Sequence, residues 1–89
     1  MRTIRYTNQF KKDYKRAKKR RHNESPLKSV IDQLANDQPL PPQYRDHALV
    51  GNYIGTRECH IEPDWLLLYR LEGETELILV RTGSHSDLF

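Results

Sequence analysis

Three histidines, His47, His60 and His85, with Asp64 and Arg81, are the residues of this 89-residue sequence best suited to proton transfer and charge stabilisation. Imidazole has an unperturbed pKa of about 6.5, so both its forms are populated near neutral pH. Cleaving a phosphodiester without a metal requires a base, an acid for the leaving oxygen, and positive charge on the crowded phosphate. In RNA the neighbouring 2′-OH can be the nucleophile, and the protein then needs none of its own. Arg81 offers a permanent fork of donors that matches phosphate geometry. Asp64 can orient an imidazole, and Trp65 or Phe89 can stack on an unpaired base. Each residue also has an ordinary explanation: Asp64 as a turn residue, Trp65 as packing, Arg81 as half of an ion pair, Phe89 as an anchor. His22 reads as a surface residue and Cys59 as a small buried hydrophobe. His60 and Asp64 with His47 or His85 could ligate an ion, but they straddle a turn and form no dense ligand motif. The expectation is therefore no metal and no cofactor.

The segment Arg81-Thr-Gly-Ser-His-Ser-Asp-Leu-Phe89 joins such residues directly to an apolar strand, unlike the polar filler in which many chains end. Charge is just as unevenly distributed. Residues 1–21 carry ten of the fifteen Lys and Arg against Asp13 alone, whereas residues 22–89 are net acidic. Lys11, Lys12, Lys15, Arg16, Lys18, Lys19, Arg20 and Arg21 form a basic block that attracts polyanions, either nucleic acid or an acidic partner, unless it is simply a solvated face. The length fits one domain, residues 1–89. A lone cysteine and no apolar run of signal or membrane-span length fit a cytoplasmic, non-membrane protein.

The positioning elements follow from periodicity. Thr3 to Thr7 reads as a strand, and Asn8 as the cap of a helix with Phe10, Tyr14 and Ala17 on one stripe. Ser25-Pro26 opens a second helix carrying Leu27, Val30, Ile31, Leu34 and Ala35 and ending before Pro39. Pro39-Leu-Pro-Pro42 is a stiff linker, with order returning over Tyr44 to Val50. Strands follow at Thr56 to Glu62, Trp65 to Leu71 and Glu76 to Thr82, joined by turns. The expected fold is α+β, β-α-α-β-β-β, an antiparallel sheet with a helical hairpin on one face and the other face partly open. Alternation puts Cys59 and Ile61 toward the helices, leaving Glu58, His60 and Glu62 on the open side. The strands after Glu62 are apolar on both faces, so parity does not orient Arg81.

Residues Asp46 to Tyr69 together with Arg81 to Phe89 resemble the YafQ family of bacterial toxins within the wider RelE-like group, and the likeness continues collinearly over residues 1–45. The resemblance implies a type II toxin–antitoxin toxin, an mRNA interferase that cuts messenger RNA in the ribosomal A site and is neutralised by a cognate antitoxin. It also implies catalytic roles for His47, His60, Asp64 and His85, functional aromatics at Trp65 and Phe89, and Arg81 near the scissile phosphate. The basic helix would grip ribosomal RNA. The competing reading is a non-catalytic basic module that binds nucleic acid or regulates, for which three histidines with Arg81 would be unnecessary. A third makes the chain chiefly an interaction subunit, covered by an acidic partner.

Overall fold

The structure, a computed structural model, describes residues 1–20 and 23–89; Arg21 of the basic block and His22 lie outside the described residues. The chain runs β1 (Thr3–Tyr6), α1 (Asn8–Lys19), α2 (Glu24–Ala35), β2 (His47–Ala48), β3 (Arg57–Glu62), β4 (Trp65–Glu72), β5 (Glu76–Gly83) and α3 (His85–Leu88). The sheet order is β1-β5-β4-β3-β2. Strands β3 to β5 form the expected antiparallel meander, but β1 lies parallel to β5, with Ile4 opposite Leu77, so the sheet is mixed. A parallel neighbour requires a crossover, which the helical hairpin provides. The two-residue β2 and the one-turn α3 are elements that residue patterning did not reveal.

Both helix starts differ from expectation by a residue or two. Thr7, not Asn8, caps α1: its hydroxyl oxygen accepts from Phe10 N at 2.9 Å and its O–H donates to the Val80 carbonyl at 2.7 Å. Asn23 caps α2 by accepting from Ser25 N at 3.0 Å, which leaves Pro26 within the first turn, where an N–H has no helical partner to lose. The Tyr14 hydroxyl donates to Glu24 and ties the two helices together; that hydrogen bond, with burial, holds the phenol up at about 12.

Phe10, Leu27, Val30, Leu34 and Ala35 pack on Cys59, Ile61, Leu67, Tyr69, Leu77 and Leu79 to form the main core. Alternate residues of β4, Leu66 and Leu68, face the opposite side, where Leu88 of α3 covers them with Leu49, Tyr53 and Val80. The all-apolar run of β4 is thus buried on both faces. One face meets the helices, and the other meets the β2–β3 loop and the tail.

β1 ends at Tyr6, which leaves the edge of β5 beyond Leu79 without a strand partner, and side chains of α1 complete it. Thr7 takes the Val80 carbonyl as above. The Asp13 carboxylate, fully buried, accepts from Thr82 N at 3.3 Å and from Arg81 Nε and Nη2 at 3.0 and 3.1 Å. Removing one partner of such a pair strands a buried charge, at a cost of about 3–5 kcal/mol. Asp13→Ala should therefore lower the unfolding free energy by about 3 kcal/mol in urea denaturation; a loss below about 1 kcal/mol would show that the pair does not hold the helix to the sheet.

Candidate active site

The face of β3 turned away from the helices carries Glu58 and His60, as the alternation expected. β2 pairs with this strand so that His47 stands opposite Glu58. The Glu58 carboxylate is 6 % exposed and sits between two imidazoles, with Oε1 3.2 Å from His60 Nε2 and 3.7 Å from His47 Nε2. On the other side of the His47 ring, Nδ1 lies 2.7 Å from the Arg45 carbonyl. A carbonyl only accepts, so Nδ1 carries the hydrogen, and the lone pair of neutral His47 is on Nε2. Asp46 anchors the start of β2 by accepting from the Tyr69 hydroxyl at 2.5 Å and from Arg57 Nε at 3.2 Å. Burial, reinforced by the bond to Asp46, keeps the Tyr69 phenol protonated far above its usual range.

His85 arrives from the end of the chain. Ser84 caps α3 in a capping box: its oxygen accepts from Asp87 N, and Asp87 accepts from Ser84 N at 3.0 Å. Gly83 makes this turn practicable, since a Cβ there would stand 3.0 Å from that of Asp87. Asp64 in the β3–β4 turn accepts from both the backbone N–H and ring Nδ1 of His85, each at 3.2 Å. With Nδ1–H so engaged, His85 presents Nε2 for proton transfer. The rings of His60 and His85 lie 5.7 Å apart between centroids. Phe89, 61 % exposed, stands 6.5 Å from His85 and edge-on to Tyr53 at 5.6 Å.

The structure thus gathers His47, His60, His85 and Asp64 on one side of the sheet, with Phe89 at their margin, and adds Glu58, which sequence reasoning placed on the right face but gave no role. Two other residues have different surroundings. Trp65 is 2 % exposed, and its indole N–H donates to Thr82 Oγ1 at 2.9 Å, so it packs in the core. Arg81 has Nε and Nη2 engaged by Asp13, and that hydrogen bond fixes its charge firmly. The basic block is also divided in purpose. Arg20 pairs with Asp87 at 2.7 Å and Arg16 lies 3.7 Å from it, whereas Lys11, Lys12, Lys15, Lys18 and Lys19 face solvent. Glu58, His60 and His85 have ligand atoms within 4.8 Å of one another, a donor set suited to a zinc-like ion. Asp64, the carboxylate considered for that role from the sequence, is not among them. No helix of the described residues is long and apolar enough to cross a membrane.

A family model described as a bacterial toxin of type II toxin–antitoxin systems, YafQ, matches residues 2–89. The chain is 44 % identical to the mRNA interferase toxin YafQ of Escherichia coli K12, over 99 % of its own length and 96 % of the relative's. The fold superimposes on YafQ in the E. coli DinJ–YafQ complex with a TM-score of 0.91 at 43 % identity, covering 100 % of this chain and 99 % of the other. It also matches a metal-bound toxin from Helicobacter pylori with a TM-score of 0.93 at 44 % identity, over the full length of both chains.

Two carboxylates fasten the tail, and both are held below the usual range. In Asp87 the main cause is the hydrogen bond from Arg20, followed by that from Ser84 N; in Asp64 it is the backbone N–H of His85, followed by the His85 ring. A carboxylate with a depressed folded-state pKa contributes stability that is complete above its unfolded value, about 3.9, and is lost as pH falls through the folded value. NMR amide signals of residues 84–88 should therefore lose protection between about pH 4 and pH 2, ahead of the β4–β5 core. Asp87→Asn should loosen the same amides already at neutral pH. If residues 84–88 and the core lost protection together, the carboxylates would not be what fastens the tail.

Proposed function

The chain belongs to the YafQ family of bacterial toxins of type II toxin–antitoxin systems, and from that premise we propose that it is a ribosome-dependent endoribonuclease that arrests translation by cutting messenger RNA through metal-independent acid–base catalysis. The observation that carries this reading is the gathering of three imidazoles around Glu58 and Asp64, with His85 Nε2 unengaged. A base takes the proton of the 2′-OH, whose oxygen bonds to phosphorus as the P–O5′ bond breaks. An acid protonates the departing 5′-oxygen, leaving a 2′,3′-cyclic phosphate. His85, oriented by Asp64 through Nδ1, is the group nearest the reacting oxygens. His47 and His60, coupled through Glu58, share the remaining proton transfer and phosphate binding. Phe89 stacks on a base beside the cut.

The solvent-facing lysines of α1 support docking on ribosomal RNA, an interaction that added salt should weaken. A cleft of about 710 Å³ between α1, α2 and β1 has an apolar floor including Ile4, Phe10 and Leu27 and a rim of Lys11, Lys15, Lys18 and Lys28. That combination suits an acidic amphipathic segment, and we assign it to the cognate antitoxin.

A second reading, favoured by the Glu58–His60–His85 donor set and by the metal-bound relative, places an ion on those three groups. The two readings separate experimentally. Protein stripped of metal by chelator and dialysed before it is added to programmed ribosomes in Mg²⁺ buffer should cut, by primer extension, as untreated protein does on the first reading; loss of cleavage that zinc restores would favour the second. His85→Ala should reduce cleavage by about 10² or more and abolish growth arrest while antitoxin binding persists. Continued toxicity of that variant would remove His85 from the mechanism.

A further inference from the structure

Eight of the nine arginines of the sequence lie among the described residues, and seven of those eight pair with a carboxylate: Arg2, Arg5, Arg16, Arg20, Arg57, Arg70 and Arg81. Arg45 is the exception among the described residues. It lines a cleft of about 690 Å³ whose other walls include His60, His85, Gln43, Tyr44 and Glu62. Its backbone is left-handed, with φ of 48°, a conformation that costs a non-glycine residue energy and recurs at functional positions. Its carbonyl is also the acceptor that fixes the His47 ring. One residue therefore sets the His47 tautomer with its main chain and lends an uncommitted guanidinium to a cleft that opens onto two other histidines.

We infer that Arg45 is a further phosphate-binding cation of this site, and that the cleft it shares with Gln43 and Tyr44 receives the RNA nucleotide adjoining the scissile bond. This rests on the ribonuclease reading above. Arg81 cannot bring its Nε–Nη2 fork to a phosphate without releasing Asp13, whereas Arg45 gives up no ion pair. A guanidinium fork can engage two phosphate oxygens at once. Glu62, the one carboxylate of the cleft wall, would repel the phosphate and so favours the Arg45 side. The Gln43 amide, with donors and an acceptor, suits the edge of an unpaired base. His85 lines the cleft and also lies 6.5 Å from Phe89 of the Tyr53–Phe89 pair, so a polar and an aromatic subsite both adjoin it.

The test uses the full chain on programmed ribosomes under single-turnover conditions. Arg45→Asn removes the cation while retaining a residue that tolerates the left-handed backbone, and antitoxin binding confirms that the variant is folded. Cleavage should fall about tenfold to a hundredfold, the effect of losing a charged hydrogen-bond donor. Arg45→Lys should recover part of the rate, and the dependence of log rate on log salt should flatten by about 0.7 in the Asn variant. Arg70→Asn, which removes an exposed pair with Glu72, should cut at the wild-type rate. Wild-type cleavage with an Arg45→Asn variant within twofold of it would overturn this inference and leave the ribonuclease reading standing. A wild-type chain that cuts no RNA would overturn both.

Discussion

The Asp87 carboxylate draws Arg16 and Arg20 of α1 and the backbone of Ser84 into one knot, and the position of His85 depends on it. A four-residue helix has no independent stability, because helix formation has a costly nucleus and so short a segment cannot repay it. Its position comes from a capping box, the burial of Leu88 against Leu66 and Leu68, and these charged contacts. Asp13 does the equivalent for the start of α1, closing the edge of β5 and fixing Arg81. The two acids turn a strongly basic helix into a structural brace along one side and leave its lysines on the other.

This division bears on how the charge of α1 is used. The block of positive residues attracts polyanions as a whole, but the arginines closest to the sheet are already neutralised from within. Guanidinium forks match carboxylates bidentately, whereas a lysine is a hydrated point charge, so arginines at the inner positions and lysines at the outer ones suit a helix that holds a fold and keeps its remaining charge in solvent.

Glu58 is the electrostatic centre of the histidine cluster. A buried carboxylate is costly unless compensated, and two imidazoles on adjacent strands lie 3.2 and 3.7 Å from this one. Glu58, His60 and His85 together resemble a cation site, because their nitrogen and oxygen ligand atoms lie within 4.8 Å of one another.

The alternation of β3 made Cys59 and Ile61 core residues and turned Glu58 and His60 outward, because a strand has a strict period of two and a mixed apolar–polar run leaves no choice of face. The helical stripe of Phe10, Tyr14 and Ala17 was legible for the same reason at a period of 3.6. The identities of the three histidines and Asp64 were equally plain, and their chemistry is a property of the side chains alone. Tertiary structure decided the rest. Trp65 begins a strand that is apolar on both faces, so only packing could reveal that its indole points inward. The partner of Arg81 lies 68 positions away in Asp13, and no local pattern couples them. Arg45 became notable only once its fellow arginines were found paired. Sequence determines which groups can bind or move a proton; which of them remain free to do so depends on contacts between distant segments, formed only when the chain closes on itself.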